Sequence, residues 1–275
     1  MKIGNREFDV NHKTYIMGIL NVTPDSFSDG GKWNQKDAAL AHVESMLQDG
    51  ADIIDVGGES TRPGFAQVDA QEEASRVLPM IEEIRRRFDV PISVDTYKAS
   101  VAEYKASVAE QAIQAGADLV NDVWGLKKDP AMAGVIAKHG VACCLMHNKK
   151  EAVYDNFLVD MLHETQECVN LARAAGVQAD RIIVDPGVGF GKDYEMNLLT
   201  IRRLDLFREL GYPVLLGTSR KSVIGLTLDL PTSERVEGTL ATTVMGVMSG
   251  CAFVRVHDIK ENKRAIMMTE AILGK

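Results

Sequence analysis

Three features of this 275-residue chain predict a (β/α)8 TIM barrel with an N-terminal β-hairpin, with residues 1–275 forming one domain. Short apolar, β-branched runs recur eight times, at 16–20, 53–56, 92–94, 119–120, 141–146, 182–184, 214–216 and 253–256. Segments of helical periodicity lie between them, and no Pro/Ser-rich linker divides the chain. Continuous apolar runs are the mark of parallel strands covered by helices, and right-handed crossovers close eight such units into a barrel of about 250 residues. An open doubly wound sheet is the alternative.

The elements follow in order. Residues 3–15 alternate apolar and polar side chains around turn formers, which predicts a hairpin plugging the end of the barrel opposite the strand ends. The first strand runs into Asn21. Ala39, Leu40, Val43, Met46 and Leu47 then share one helical face, and Gly50 is placed to end that helix. The second strand runs into Gly57-Gly58-Glu59-Ser60 and the third into Asp95-Thr96. The same helix-Gly-strand punctuation recurs at Gly116, Gly140 and Gly250. The remaining strands end in Asn121-Asp122, His147-Asn148, Asp185-Pro186-Gly187, Gly217-Thr218-Ser219-Arg220-Lys221 and His257-Asp258. A barrel brings all of these ends to one face, where they form the candidate site.

Composition narrows the function. The chain is 45% hydrophobic and 25% charged, a globular balance, and its formal net charge of -8 gives nonspecific binding to nucleic acid or anionic membranes no electrostatic support. No apolar stretch approaches the ~20 residues that span a bilayer, and the N-terminus lacks a signal-peptide core, so a cytoplasmic location is expected. The four cysteines, Cys143, Cys144, Cys168 and Cys251, have no C-x-x-C spacing and read as reduced core thiols.

Two sets of polar residues at the strand ends carry chemistry. Asp95, Asp122 and Asp185, with Asn121, could accept paired donors from a planar heterocycle, Asp185 suiting an N–H beside an amino group; a helix cap or loop brace is the competing role for each. Arg62, Arg220, Lys221, Arg255 and His257 form a cationic set suited to phosphate. Arg255 and His257 alternate along one strand and so point to the same side. The six histidines show no zinc spacing, whereas magnesium, which needs as little as one protein oxygen beside substrate phosphates, stays open. Neither a G-x-S-x-G elbow nor a P-loop is present, which removes acyl-enzyme and P-loop chemistry.

The segment Met17-Gly18-Ile19-Leu20-Asn21-Val22-Thr23-Pro24-Asp25-Ser26-Phe27-Ser28-Asp29-Gly30-Gly31 resembles the first signature of the dihydropteroate synthase family. Asp55-Val56-Gly57-Gly58-Glu59-Ser60-Thr61-Arg62-Pro63-Gly64 is similar to its second loop, and blocks at 185–190, 217–221 and 253–258 match later ones. The resemblance runs from about residue 3 to the C-terminus. It implies a TIM-barrel transferase joining 6-hydroxymethyl-7,8-dihydropterin diphosphate to 4-aminobenzoate, by an SN1-like route, to give 7,8-dihydropteroate and pyrophosphate. By matching positions, Asp95, Asn121, Asp185 and Lys221 would hold the pterin, with Met146 and Gly217 also in the substrate site. Arg255 would stack on the ring and reach the diphosphate, and His257 and Asn21 would bind diphosphate oxygens. Asn21 would also ligate Mg2+. Thr61, Arg62, Pro63, Phe190, Lys221 and Ser222 would surround the aminobenzoate and the sulfonamides that mimic it. Catalysis would rest on Asp95, Lys221, Arg255 and His257, with loops 25–31 and 60–64 closing over the cation. The family implies a homodimer. A folate-dependent methyltransferase domain and a non-catalytic pterin-binding barrel are the competing readings.

One feature departs from the family pattern: the seven residues 97–103, Tyr-Lys-Ala-Ser-Val-Ala-Glu, are repeated at once as 104–110. Seven residues are close to two helical turns and turn the following face by only ~20°. The expectation is a third helix two turns longer, protruding either at its C-terminal end, far from chemistry, or at its N-terminal end beside Asp95-Thr96. Tolerated replication slippage and a selected rim change that excludes sulfonamides are the two explanations.

Overall fold

The computed structural model describes residues 1–22, 32–59, 68–98 and 107–275. Strands β1 (Lys2–Ile3) and β2 (Arg6–Glu7) pair antiparallel, the predicted hairpin. Gly4 turns between them at φ +56°, and a Cβ there would sit 2.7 Å from the Asp118 carboxylate, so only glycine fits. Eight parallel strands follow: β3 (Tyr15–Asn21), β4 (Ile53–Gly57), β5 (Ile92–Asp95), β6 (Leu119–Asp122), β7 (Ala142–Met146), β8 (Ile182–Asp185), β9 (Leu215–Leu216) and β10 (Phe253–Val256). They hydrogen-bond in the order β8-β7-β6-β5-β4-β3-β10-β9, and a parallel bridge from Val214 to Val184 brings the two edges together in a nearly closed barrel. This is the (β/α)8 architecture.

Helices α1 (Lys32–Gln48), α2 (Ala70–Arg87), α3 (Val108–Ala115), α4 (Met132–His139), α5 (Phe157–Ala174), α6 (Tyr194–Arg202), α7 (Ser222–Leu228), α8 (Val236–Met248) and α9 (Ile259–Leu273) cover it. Their boundaries follow local chemistry. Asp69 caps α2 by accepting from the Glu72 N–H at 2.8 Å, with Glu72 and Glu73 in the first turn and Arg85, Arg86 and Arg87 in the last, each sign matched to the helix dipole.

The third helix, as described, is eight residues long. Ser107 caps its start by accepting from the Glu110 N–H, and Gly116 ends it in the left-handed conformation at φ +119°. Residues 99–106, the middle of the two heptad copies, lie outside the described residues, and with them the expected extra turns.

Strand residues alternate between two cores. Ile16, Ile54, Val56, Val94, Val120, Leu145 and Val184 face the helices. Met17, Ile53, Leu119, Cys144, Ile183, Leu215 and Phe253 face the barrel axis, where Ile3 and Phe8 of the hairpin segment join them. The rings of Phe8, Tyr15 and Phe253 pack with centroids 4.8 to 6.0 Å apart, which closes the lower end. All four cysteines are buried and unbridged. Among the described residues no helix is long and apolar enough to cross a membrane.

Candidate active site

Two residues further along the same inward faces, the apolar layer becomes polar. Ile53 is followed by Asp55, Leu119 by Asn121, Ile183 by Asp185, Leu215 by Gly217, and Phe253 by Arg255 and then His257. Ser93 is likewise followed by Asp95. Strand geometry alone thus gathers Asp55, Asp95, Asn121, Asp185 and Arg255 at one level, with both Lys221 and His257 at the strand ends above it.

Arg255 organises one half of this level. Its Nε donates to Asp55 Oδ2 at 2.6 Å and its Nη2 to Asp95 Oδ2 at 2.7 Å. Asn121 Nδ2 makes a longer contact, 3.4 Å, with the same Asp55 oxygen. Burial pushes the Asp95 carboxyl up to about 7, against the pull of Arg255. The guanidinium, facing two carboxylates, is held charged despite its burial. Asp55 Oδ1, Asp95 Oδ1 and Ser93 Oγ are buried with no hydrogen-bond partner among the described residues. Unsatisfied acceptors at the floor of a mouth are costly unless a ligand supplies donors. Asp55 was not singled out as a site residue in the sequence; its signal is a lone charge inside the run Ile53-Ile54-Asp55-Val56.

The other half is built on β8. Asp185 Oδ1 accepts from the Gly187 N–H at 2.7 Å, and burial raises this carboxyl while Lys221 lowers it. Gly187 has φ +67°, and a Cβ there would lie 1.9 Å from the His147 carbonyl oxygen, so the turn demands glycine. Gly217 stands open opposite Asp185, since a Cβ would only reach ordinary contact at 3.6 Å from Oδ2. Lys221 Nζ donates to the Val188 carbonyl and lies 4.6 Å above the Phe190 ring; burial pushes it down to about 8. Tyr97, Val123 and Met146 form a small buried apolar cluster with Trp124 and Phe190 against it, a wall suited to a flat ring.

The other sequence candidates divide. His257 is held by Ser219, whose Oγ accepts from the His257 backbone N–H at 3.1 Å and lies 3.0 Å from Nδ1. Asn21 is half-buried at the end of β3, and a Cβ on Gly57 would be 3.7 Å from its Oδ1 and 3.6 Å from Asp95 Cβ, so the amide lies beside the acidic floor. Two candidates brace loops instead. Asp122 accepts from the N–H groups of Trp124 (2.8 Å) and Leu126 (2.9 Å), and Arg220 is bidentate to Asp258. Ser222 is the exposed first residue of α7. Thr61, Arg62, Pro63 and the segment 25–31 lie outside the described residues.

A second polar cluster behind Phe190 was not read from the sequence. Lys192 Nζ, pushed down to about 7 by burial, lies 2.8 Å from His147 Nδ1 and donates to the Gly187 and Phe190 carbonyls. His147 Nε2 is 2.9 Å from Glu164, which also pairs with Lys149. Its members are scattered from 147 to 192, and no motif spacing unites them.

The family model for pterin-binding enzymes matches residues 17–257. The chain is 59% identical over 274 residues to the dihydropteroate synthase of Clostridium beijerinckii, covering 99% of both chains. It belongs to the dihydropteroate synthase family. Among solved structures, that of the family member from Clostridium difficile in the presence of pteroic acid superposes with a TM-score of 0.93 at 51% identity, over 98% of this chain and 100% of that one. The Yersinia pestis synthase in a sulfonamide drug complex gives 0.90 at 40% identity, over 100% and 99%. Whole-chain identity to synthases sets aside the methyltransferase alternative.

Proposed function

We propose that this chain joins 6-hydroxymethyl-7,8-dihydropterin diphosphate to 4-aminobenzoate, releasing 7,8-dihydropteroate and pyrophosphate. The observation that carries this reading is the buried Asp185 carboxylate, held by the Gly187 N–H at 2.7 Å with open space over Gly217 and Lys221 near enough to lower it, at the mouth of a barrel of this family. Asp185 Oδ2 can accept from the amino group and ring N–H of the pterin, Asn121 contacts the same edge, and Lys221 donates to the ring carbonyl and N5. Met146 and Phe190 flank the ring, and Gly217 leaves room for it.

The bond from the pterin methylene to the diphosphate oxygen breaks first, its electron pair leaving with the diphosphate. The methylene cation spreads into the ring, where Asp95 offers a nearby carboxylate. The neutral arylamine then attacks the methylene carbon and loses its extra proton to water. His257, and the Arg255 nitrogen not used by Asp55 and Asp95, face the departing anion. Thr61, Arg62, Pro63 and Ser222 are the residues proposed to hold the aminobenzoate.

The donor set fits Mg2+. Among the described residues no three His, Cys, Asp or Glu side chains cluster to hold a metal, but one hard amide oxygen, Asn21 Oδ1, lies beside the acidic floor, which suffices for an ion that keeps its waters and substrate phosphates. When bound there, the ion would neutralise charge on the leaving diphosphate.

The exposed apolar side chains of two packed helices support a homodimer: Met245 and Met248 on α8, and Met267, Met268 and Ile272 on α9. A cytoplasmic location and reduced sulfonamide sensitivity from the duplicated heptad complete the proposal. A pyrophosphate-release assay with both substrates tests it: stoichiometric pyrophosphate and dihydropteroate are expected, and absence of both from the folded protein would contradict it. Excising residues 104–110 tests the sulfonamide idea, which fails if the inhibition constant relative to the aminobenzoate KM does not change.

A further inference from the structure

The turn 187–191 leaves β8 with three glycines at positive φ, Gly187 at +67°, Gly189 at +88° and Gly191 at +56°. Such a stretch has many conformations to lose, and no helix or strand ladder holds it. Side chains from outside hold it instead. Asn197 of α6 accepts from the Gly189 N–H at 2.6 Å, and Tyr154 donates to the Gly191 carbonyl at 2.7 Å. Lys192 Nζ donates to two carbonyls of the turn, Gly187 at 3.1 Å and Phe190 at 3.0 Å.

The third partner of Lys192 is His147 Nδ1 at 2.8 Å, so the three N–H donors of the ammonium meet three acceptors. An ammonium donates to Nδ1 only when that nitrogen carries no proton, and burial lowers His147 to about 3, which keeps the ring neutral. The ring proton therefore sits on Nε2 and points to Glu164 Oε2 at 2.9 Å. His147 is 1% exposed, and the other Glu164 oxygen accepts from Lys149 at 2.6 Å. One ammonium thus ties the turn to the end of β7 and, through the imidazole, to α5. What the turn presents is a wall of the site. Phe190 packs against the buried cluster of Tyr97, Val123 and Met146 and lies 4.6 Å from Lys221 Nζ, and the Val188 carbonyl accepts from the same Nζ. Lys192 reaches that wall through its backbone carbonyls.

We propose that Lys192 is a positioning residue for the turn 187–191, and that through this turn it keeps the Phe190 ring where the pterin and the aminobenzoate meet it. The kinetic consequence rests on the proposed reaction. The anchor itself rests on the geometry of the turn.

Two measurements on the full chain test it, amide hydrogen exchange across 187–191 and steady-state kinetics, beside thermal unfolding. Lys192→Met keeps the reach of the side chain and removes all three donors. Exchange at the Gly189 and Phe190 N–H groups should speed up by about tenfold, and kcat/KM with aminobenzoate varied should fall by about tenfold, because freed carbonyls loosen the turn and misplace the ring. Phe190→Ala should also lower kcat/KM, but adding Lys192→Met to it should cost no more than about a further twofold. Glu164→Gln, which serves if Lys192→Met does not fold, should reproduce both effects at about threefold, with the same shortfall from additivity. Lys150→Met, which removes a neighbouring exposed charge, should leave both unchanged. Unaltered exchange in Lys192→Met and Glu164→Gln, losses that multiply in the double variant, or an equal loss in Lys150→Met would each overturn the inference. An unaltered chain that does not turn over would defeat the proposed reaction and not the anchor, which the exchange experiment still decides.

Discussion

The two ends of the barrel use the same inward-facing strand positions for opposite purposes. At the lower end Met17, Ile53, Leu119, Ile183, Leu215 and Phe253 close on the hairpin in an apolar plug. One alternation higher, the same faces carry Asp55, Asn121, Asp185, Gly217 and Arg255. The apolar layer gains stability from burial, about 1.5–3 kcal/mol for each large side chain. The polar layer does the reverse: it holds Asp95 and Asp185 with raised carboxyls and leaves two carboxylate oxygens without partners among the described residues. Fold and function are therefore separated by a single step of about 7 Å along each strand.

That comparison can be broken by substitutions at each end. The largest effect should come from Arg255→Met, which leaves Asp55 and Asp95 facing each other without a cation: the fold should lose about 3–5 kcal/mol in chemical denaturation, and kcat/KM of the folded variant should fall on the order of a thousandfold, about 4 kcal/mol of barrier. Phe253→Ala, two residues away on the same face, should destabilise the fold by about 3–5 kcal/mol in chemical denaturation while both KM values stay within about twofold. A large KM change there would mean that the two layers are not separable.

A smaller effect is expected in the pH dependence of stability. A carboxyl with a raised folded pKa binds its proton more tightly when folded, so the stability it contributes is full below about 4 and is lost as pH rises through about 7. Asp95→Asn removes that loss. Melting temperatures should therefore favour the variant at pH 8, favour it less at pH 5, and nearly coincide with the unaltered chain at about pH 4. The smallest effect belongs to the heptad: excising one copy shortens the connection between β5 and α3 by seven residues and should change stability by on the order of 1 kcal/mol or less.

The sequence made the layers legible unevenly. Asp95, Asn121 and Asp185 stand where apolar runs stop, so their convergence follows from the barrel itself. Asp55 sits inside a run, and an apolar environment on both sides hid a charge that only its partner Arg255 explains. Lys192, His147 and Glu164 meet through tertiary packing alone, with no local pattern to announce them. Asp122 and Arg220 share the residue types and strand-end positions of the binding groups, and only their partners separate bracing from binding. The duplicated heptad was readable as an insertion but not as a location, because a period of seven preserves the helix face wherever the extra residues go. The caps at Ser107 and Gly116 fix the ends of the described helix only.

The central claim is that the polar layer, and Asp185 within it, binds the pterin. Calorimetry with 6-hydroxymethyl-7,8-dihydropterin diphosphate on the unaltered chain and on Asp185→Ala tests it most directly. The account predicts clear binding by the first and none measurable by the second, with the variant's melting temperature equal or higher. Undiminished affinity in folded Asp185→Ala would contradict it.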